Sequence, residues 1–328
     1  MTGAAPRTAL ITGITGQDGS YLAELLLGRG YRVVGTTRHR TPASTQRLAP
    51  LLDRLTLEEL DLGDATAVRT LVGRIAPDEV YHVAAASRVD DSWRHPMESL
   101  VANAGSTANL LDALARERPG ARLLVASSCE IFGRPVSTPQ SERTPVAPVS
   151  PYGVSKAAAY WLTATFRESH GLFAASAILY NHESPRRSED FVTRKISLGA
   201  ARIAAGLGQQ LVLGDLEARR DWGYAGDYAE AMWRMLQLDR PRDVVLGTGV
   251  SHSVREFCEL AFSHVGLDYR DHVVPDRTLF RPVDPTSLVA DARLARELLG
   301  WEPDVAFHAL VEMMVSADQT RVQRGDAV

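Results

Sequence analysis

Tyr152 and Lys156 stand four positions apart, at the end of a stretch that also carries Ser127, Ser128, Cys129 and Glu130. Four residues is about one helical turn, so the phenol and the ammonium share a face. A phenol titrates near pKa ~10, and each unit of depression corresponds to about 1.4 kcal/mol of preference for phenolate. A neighbouring cation pushes in that direction. Such a phenol can take the proton of a sugar hydroxyl while hydride leaves the same carbon. Cys129 is read as a packing residue, since a small buried cysteine is commoner than a reactive thiol.

Chemistry of this kind needs a hydride carrier and elements that hold it. Gly13, Gly16 and Gly19 form G-x-x-G-x-x-G in TGITGQDGSYLAELL, directly after a strand-like run and at the start of a helix-like one. A turn without side chains lets backbone N–H groups approach a pyrophosphate at a helix N-terminus. Five further apolar runs follow: Tyr31–Thr37, Leu55–Asp61, Glu79–Ala85, Arg122–Ser128 and Leu172–Tyr180, with helix-like stretches between them. That rhythm predicts an α/β chain with a Rossmann-type, doubly wound, mostly parallel sheet and helices on both faces. Ser127 and Ser128 then fall at the C-terminal end of the fifth strand, where open parallel sheets bind ligands. Asp61 and Leu62 close the third strand and are expected near an adenine.

After the second strand an NAD-binding chain places Asp or Glu on the adenosine ribose. Here the residues are Thr36, Thr37, Arg38, His39 and Arg40. Arginine suits a 2′-phosphate, so the expected cofactor is NADP. Beyond Tyr180 the texture changes, first to the charged loop NHESPRRSED and then to a helix from Phe191 to about Gly206. The expected organisation is residues 1–180 as the NADP-binding domain, with some later segments returning to it. Residues 181–328 form most of a smaller C-terminal α/β lobe for substrate.

The 328 residues are 45% hydrophobic and 23% charged, with 36 Lys plus Arg against 40 Asp plus Glu and a net charge of −4. No basic field argues for nucleic acid or a membrane surface. No apolar run approaches the roughly 18–20 residues that span a bilayer, and the N-terminus reaches a strand too soon to hold a signal peptide, so the expected location is cytoplasmic. Cys129 and Cys258 match no metal-ligand spacing, and no metal is implied.

From about Arg7 to Thr320 the chain resembles the extended short-chain dehydrogenase/reductases, and among them the GDP-mannose 4,6-dehydratases. TGITGQDGSYLAE and SPYGVSK belong to the whole superfamily. YNHESPRRSEDFVTRKI (Tyr180–Ile196), LGDLEARRDWGYAGDYAEAMW (Leu213–Trp233), TGVSHSVREF and LFRP (Leu279–Pro282) are narrower. The resemblance implies Ser128, Glu130, Tyr152 and Lys156 as catalytic residues. It implies a cofactor site of Gly13, Thr15, Gly16, Gln17, Asp18, Gly19, Arg38, Arg40, Asp61, Leu62, Ala84, Ala85, Ser87, Tyr152, Lys156, His182 and Arg187. Ser87, Ser128, Glu130, Asn181, Val192, Lys195, Leu213, Arg220 and Arg281 are the implied contacts of a nucleotide sugar.

The implied reaction oxidises the hexose at C4, with Tyr152 taking the hydroxyl proton and hydride passing to NADP. The C5 proton becomes acidic, Glu130 removes it and helps water leave from C6, and the hydride returns to C6. Ser128 hydrogen-bonds O4. The chain departs from the family pattern at Ala86, Arg88, Asp90, Glu98, Asp215 and Cys129, which leaves the base and hexose open. Another nucleotide-sugar reductase, decarboxylase or epimerase remains an alternative, as does a non-catalytic dinucleotide-binding sensor. The stretch Arg38–Arg47 resembles a family loop that reaches a neighbouring subunit, so a homodimer or homotetramer is expected.

Overall fold

The computed structural model describes residues 5–280 and 288–325. All six apolar runs form strands: β1 (Thr8–Thr12), β2 (Arg32–Thr37), β3 (Thr56–Glu59), β4 (Glu79–His82), β5 (Arg122–Ala126) and β6 (Phe173–Leu179). β1 and β4 are buried along their whole length. This is why they read as unbroken apolar runs: helices cover both faces of a parallel sheet. Six further strands follow, all but one of three residues: β7 (Asn181–Glu183), β8 (Leu211–Leu213), β9 (Arg219–Tyr224), β10 (Val244–Leu246), β11 (Ser251–Ser253) and β12 (Val273–Pro275).

The main sheet is parallel, with strand order β10-β6-β5-β4-β1-β2-β3. Strand order reverses between β1 and β4, and open parallel sheets bind ligands at such a switch point, beyond the strands' C-terminal ends. On one face, Leu22 and Leu26 of helix Gln17–Gly28 pack with Met232 and Met235 of helix Ala225–Met235. On the other face, Val68, Leu71 and Val72 of helix Ala65–Ile75 meet Leu110, Leu111 and Leu114 of helix Ser106–Glu117. Each such fully buried side chain contributes roughly 1.5–3 kcal/mol before the entropy of ordering is counted.

The remaining strands make a β11-β9-β7 sheet and a β12-β8 pair. They surround a second core of Trp222, Phe257, Phe262, Leu310 and Met314. Residues 225–246 and 292–301 pack into the first core, through Tyr228, Met232, Val244, Leu246, Ala295 and Trp301.

One helix differs from its sequence pattern. The sequence ESLVANAGSTANLLDALARE (Glu98–Glu117) reads as one helix-like stretch, but the region divides into Pro96–Leu100, a π-helical turn over Val101–Gly105, and Ser106–Glu117. The wider turn brings in Asn103, whose role is local to the site below.

Candidate active site

The glycine turn is built by contact. Gly13 adopts φ +70°, and a Cβ there would lie 2.7 Å from the Cα of Ala84; a Cβ on Gly19 would lie 2.4 Å from the carbonyl oxygen of Gly13. Both approaches involve backbone, which cannot yield, so glycine is required at each. The helix that follows starts at Gln17, capped by Gly16 with no side chain over its N-terminus. Gln17 and Asp18 do not simply line this turn. The Gln17 amide donates to the His182 carbonyl at 3.0 Å and accepts from Ser184 at 2.8 Å. Asp18 lies 3.0 Å from His182. The turn is thereby tied to β7, at the start of the second lobe. Thr15 lies beside it, its carbonyl facing Arg47 at 3.4 Å.

Facing the turn, helix Pro151–His170 begins with Ser150, whose hydroxyl accepts from the Gly153 N–H at 3.0 Å, and with Pro151 in its first turn. A hydroxyl cap and a proline with no N–H to lose fix where this helix starts, and so fix Tyr152. The Tyr152 N–H also donates to Ser92 at 3.1 Å. One turn on, buried Lys156 donates to the carbonyl of Ala126, the last residue of β5, at 2.9 Å; its ammonium is 5.9 Å from the centre of the Tyr152 ring. Asn103, from the π-turn, donates to Ser155 at 2.8 Å and accepts from Ala86 N–H at 2.8 Å. It joins the loop after β4 to the catalytic helix.

Just past β5, Ser128 opens a 3-10 turn over Cys129–Ile131 and accepts from the Glu130 N–H at 3.2 Å. Glu130 is buried, and its charge bears on both Tyr152 and Cys129. Burial pushes the Cys129 thiol far up, which keeps it protonated at neutral pH. Burial also dominates at Tyr152 and raises the phenol above its ordinary value, while a hydrogen bond with Ser128 and the charge of Arg187 pull it down. The expected depression by Lys156 is therefore not produced by the protein alone. Lys156 itself is lowered by burial to about 8, against the opposing charge of Asp18.

The other expected site residues are distributed around this centre. Arg38 and Arg40 are exposed beyond β2. Asp61 lies in the turn after β3 and accepts from Gly63 N–H at 2.9 Å, and the Leu62 carbonyl accepts from Asn109 at 2.8 Å. Ala84, Ala85 and Ser87 follow β4, with Ala85 and Ser87 exposed. Arg187 lies 3.1 Å from Glu183, with its guanidinium 3.5 Å over the Phe191 ring. Asn181 begins β7; Val192 and exposed Lys195 lie in the first turn of helix Val192–Ala204. Leu213 ends β8, and Arg220, on β9, is buried with a hydrogen bond to the Arg219 carbonyl at 2.7 Å. Arg281 lies outside the described residues.

Residues 10–314 match the sequence profile of the family described as GDP-mannose 4,6 dehydratase. The chain belongs to that family. It is 46% identical to GDP-mannose 4,6 dehydratase 1 of Arabidopsis thaliana, over 97% of this chain and 91% of the relative. It is 42% identical to the human GDP-mannose 4,6 dehydratase, over 94% and 91%. Among solved structures it is similar to the UDP-glucose 4-epimerase of Thermotoga maritima (TM-score 0.85, 23% identity, 96% of this chain and 99% of the other). At that identity the likeness is one of fold.

Within this member of the GDP-mannose 4,6-dehydratase family, the loop after β4 reaches the second half of the chain through Arg88. Arg88 lies 2.7 Å from Asp90 and 3.5 Å from Asp190, and so links the main sheet's loop to the segment before helix Val192–Ala204. Asn103, Ser92 and the Asp18–His182 pair were not singled out from the sequence. Their partners are distant in the chain, and no local pattern marks them.

Proposed function

We propose that the protein dehydrates a nucleotide sugar, GDP-mannose first among the substrates to try, to its 4-keto-6-deoxy product with NADP as recycled cofactor. The observation that carries this reading is the placement of buried Glu130 beside Tyr152 and Ser128 at the end of β5. An oxidation alone needs only Tyr152 and Lys156. A carboxylate beside them adds the second acid–base group that elimination requires.

The glycine cradle, which leaves no room for a Cβ at Gly13 or Gly19, fits a dinucleotide pyrophosphate. Arg38 and Arg40, where an acidic residue would favour NAD, fit a 2′-phosphate. Asp61, Leu62, Ala84, Ala85, Ser87, His182 and Arg187 complete that site. NADP bound there supplies the hydride acceptor and donor. Tyr152 takes the C4 hydroxyl proton, helped by the Lys156 charge, and Ser128 donates to O4 as charge develops. Glu130 removes the C5 proton and then protonates the leaving C6 hydroxyl. Asn181, Val192, Lys195, Leu213, Arg220 and Arg281 hold the nucleotide sugar, arginine being suited to the diphosphate.

We assign the working form to a homo-oligomer. Trp93, Met97 and Val101 are exposed on successive short helical turns (Val89–Arg94, Pro96–Leu100 and Val101–Gly105), and Val154 and Trp161 on the helix Pro151–His170 beside them; adjacent exposed apolar residues of this size mark protein contacts. Light scattering that finds only monomer at micromolar concentration would remove this assignment. No helix among the described residues is long and apolar enough to cross a membrane, and we place the reaction in the cytoplasm.

The deciding experiment is mass spectrometry after incubation with NADP and a panel of nucleotide sugars. Loss of one water from GDP-mannose is expected. A mass change other than loss of water points to a reductase or decarboxylase; an unchanged mass leaves an epimerase or a dinucleotide sensor, which chromatography of the recovered sugar separates. Competitive calorimetry tests the cofactor: NAD binding as tightly as NADP would remove the argument from Arg38 and Arg40.

A further inference from the structure

We propose that Asp318, in the C-terminal helix Phe307–Arg324, is a positioning residue for the segment Ser184–Arg187 that closes over the dinucleotide site. The proposal rests on the reading of that site given under Proposed function. Asp318 is fully buried. One of its oxygens accepts from Arg194 Nε at 2.8 Å and from Ser197 at 2.6 Å, and the other lies 2.6 Å from Arg194 Nη2. The carboxylate thus grips one edge of the guanidinium through two nitrogens and fixes its plane.

The free edge of that plane does the positioning. Arg194 Nη1 donates to the carbonyls of Pro185 at 3.0 Å and Arg187 at 2.9 Å. The Pro185 carbonyl also accepts from Arg321, one turn along from Asp318, at 2.9 Å. The carbonyl between them, Arg186, accepts from Arg47 Nε at 2.6 Å. Three consecutive carbonyls are therefore each held by a guanidinium from elsewhere in the chain. The segment they belong to follows His182, contributes Ser184 to Gln17 of the glycine turn, and carries Arg187.

A buried ion pair is a poor way to join two helices for stability alone, since apolar side chains of similar volume do it as well or better. What the pair supplies here, and apolar packing cannot, is a planar donor fork set to two backbone acceptors. Without Asp318 the fork is free to rotate, and the carbonyl run loses its register against the turn. The cofactor then meets a segment that must be ordered on binding.

Arg194→Lys and Asp318→Asn in the full-length protein test this. Lysine keeps the charge opposite Asp318 but has no fork to reach both carbonyls, so a purely structural pair loses stability with NADP affinity of the folded protein unchanged, whereas a positioning one also loses NADP affinity. We expect NADP dissociation constants raised about 10- to 100-fold in both variants, the range that goes with losing charge-assisted hydrogen bonds. At saturating NADP, kcat and the KM for the nucleotide sugar should stay within about twofold of wild type. Amide exchange at residues 184–190 should quicken, and it is read without turnover. Wild-type NADP affinity in folded Arg194→Lys overturns the proposal, whatever becomes of Asp318→Asn. A wild-type protein that binds neither NADP nor NAD overturns the cofactor reading instead.

Discussion

The carboxylate of Asp18 and Nε2 of His182 stand 3.0 Å apart, and the other ring nitrogen of His182 faces the Tyr180 carbonyl at 2.7 Å. Both ring nitrogens therefore point at acceptors, an arrangement that suits only the imidazolium. Burial works against that charge, yet Asp18 and the carbonyl raise His182 above its ordinary value, and Asp18 falls to about 2. The ring is also stacked on Tyr228, with centroids 4.7 Å apart.

Replacing Asp18 by Asn should return His182 to a neutral ring below its ordinary pKa, because desolvation, the largest effect at that site, would then be opposed only by the carbonyl. NMR titration of the imidazole in the cofactor-free protein reads this directly. A pKa unchanged by the substitution would show that the pair does not carry the charge.

Glu130→Gln should separate the two halves of the reaction. Glutamine nearly matches the volume and can still hydrogen-bond, so NADP and nucleotide-sugar binding should hold. Without a basic carboxylate, C5 proton abstraction should slow by roughly 100- to 10,000-fold. In a single turnover, NADPH absorbance should appear with no 6-deoxy product. Cys129→Ala should leave both steps intact, as its protonated thiol implies. Near-normal dehydration by Glu130→Gln removes the assignment, and a folded but inactive Cys129→Ala transfers the role to the thiol.

Lys156 is costly to keep. Its folded-state pKa of about 8 lies below the unfolded value of 10.5, so the unfolded chain binds the proton more tightly. Stability then rises with pH across that window, and below it the buried charge is a standing penalty. Lys156→Met should abolish turnover while raising the stability of the cofactor-free protein at pH 7 by about 2 kcal/mol, after the lost bond to Ala126 is set against a penalty of roughly 3 kcal/mol. Denaturant melts in which the variant is no more stable than wild type would contradict this.

His82 works in the opposite pH range. Buried at the end of β4, it bonds Thr12 at 2.7 Å and Thr107 at 3.2 Å, and burial, followed by the charge of Lys156, lowers it to about 3. The unfolded chain takes up this proton from near pH 6.5 downward. Between there and about pH 3 the residue therefore removes up to about 1.4 kcal/mol of stability per pH unit. The rise of His182 acts instead above pH 6.5, where its stabilisation is lost as pH increases. His82→Gln should be less stable at pH 7 but should show a flatter decline into acid; parallel curves for the two proteins would exclude His82 as the source.

The sheet and the active centre were legible in the sequence because their signals are local. Apolar runs mark buried parallel strands, three glycines mark a turn where backbone must approach backbone, and Tyr152 and Lys156 announce one face of a helix through their spacing alone. The family motifs extended that reading to Ser128 and Glu130. What lay hidden depends on partners far along the chain. Asn103 acts because a π-turn aims it at Ala86 and Ser155, and Asp318 meets Arg194 across 124 residues. The burial of the Tyr152 phenol was hidden for a related reason: spacing reports a neighbouring charge but not how thoroughly the fold excludes water around it.

The last strand of the main sheet, β10, pairs with β6 and comes from residues 244–246, after the chain has left to build most of β7–β9 and their helices. During synthesis, β6 must wait with its outer N–H and C=O groups uncovered until about three quarters of the 328 residues have been made. An uncovered edge is a template for pairing with other chains. The interval between residues 179 and 244 is thus the period in which the nascent protein is most exposed to misassembly, and where a chaperone has most to protect. A fragment ending at residue 180 would carry the complete glycine turn and both Tyr152 and Lys156, yet keep that edge open indefinitely.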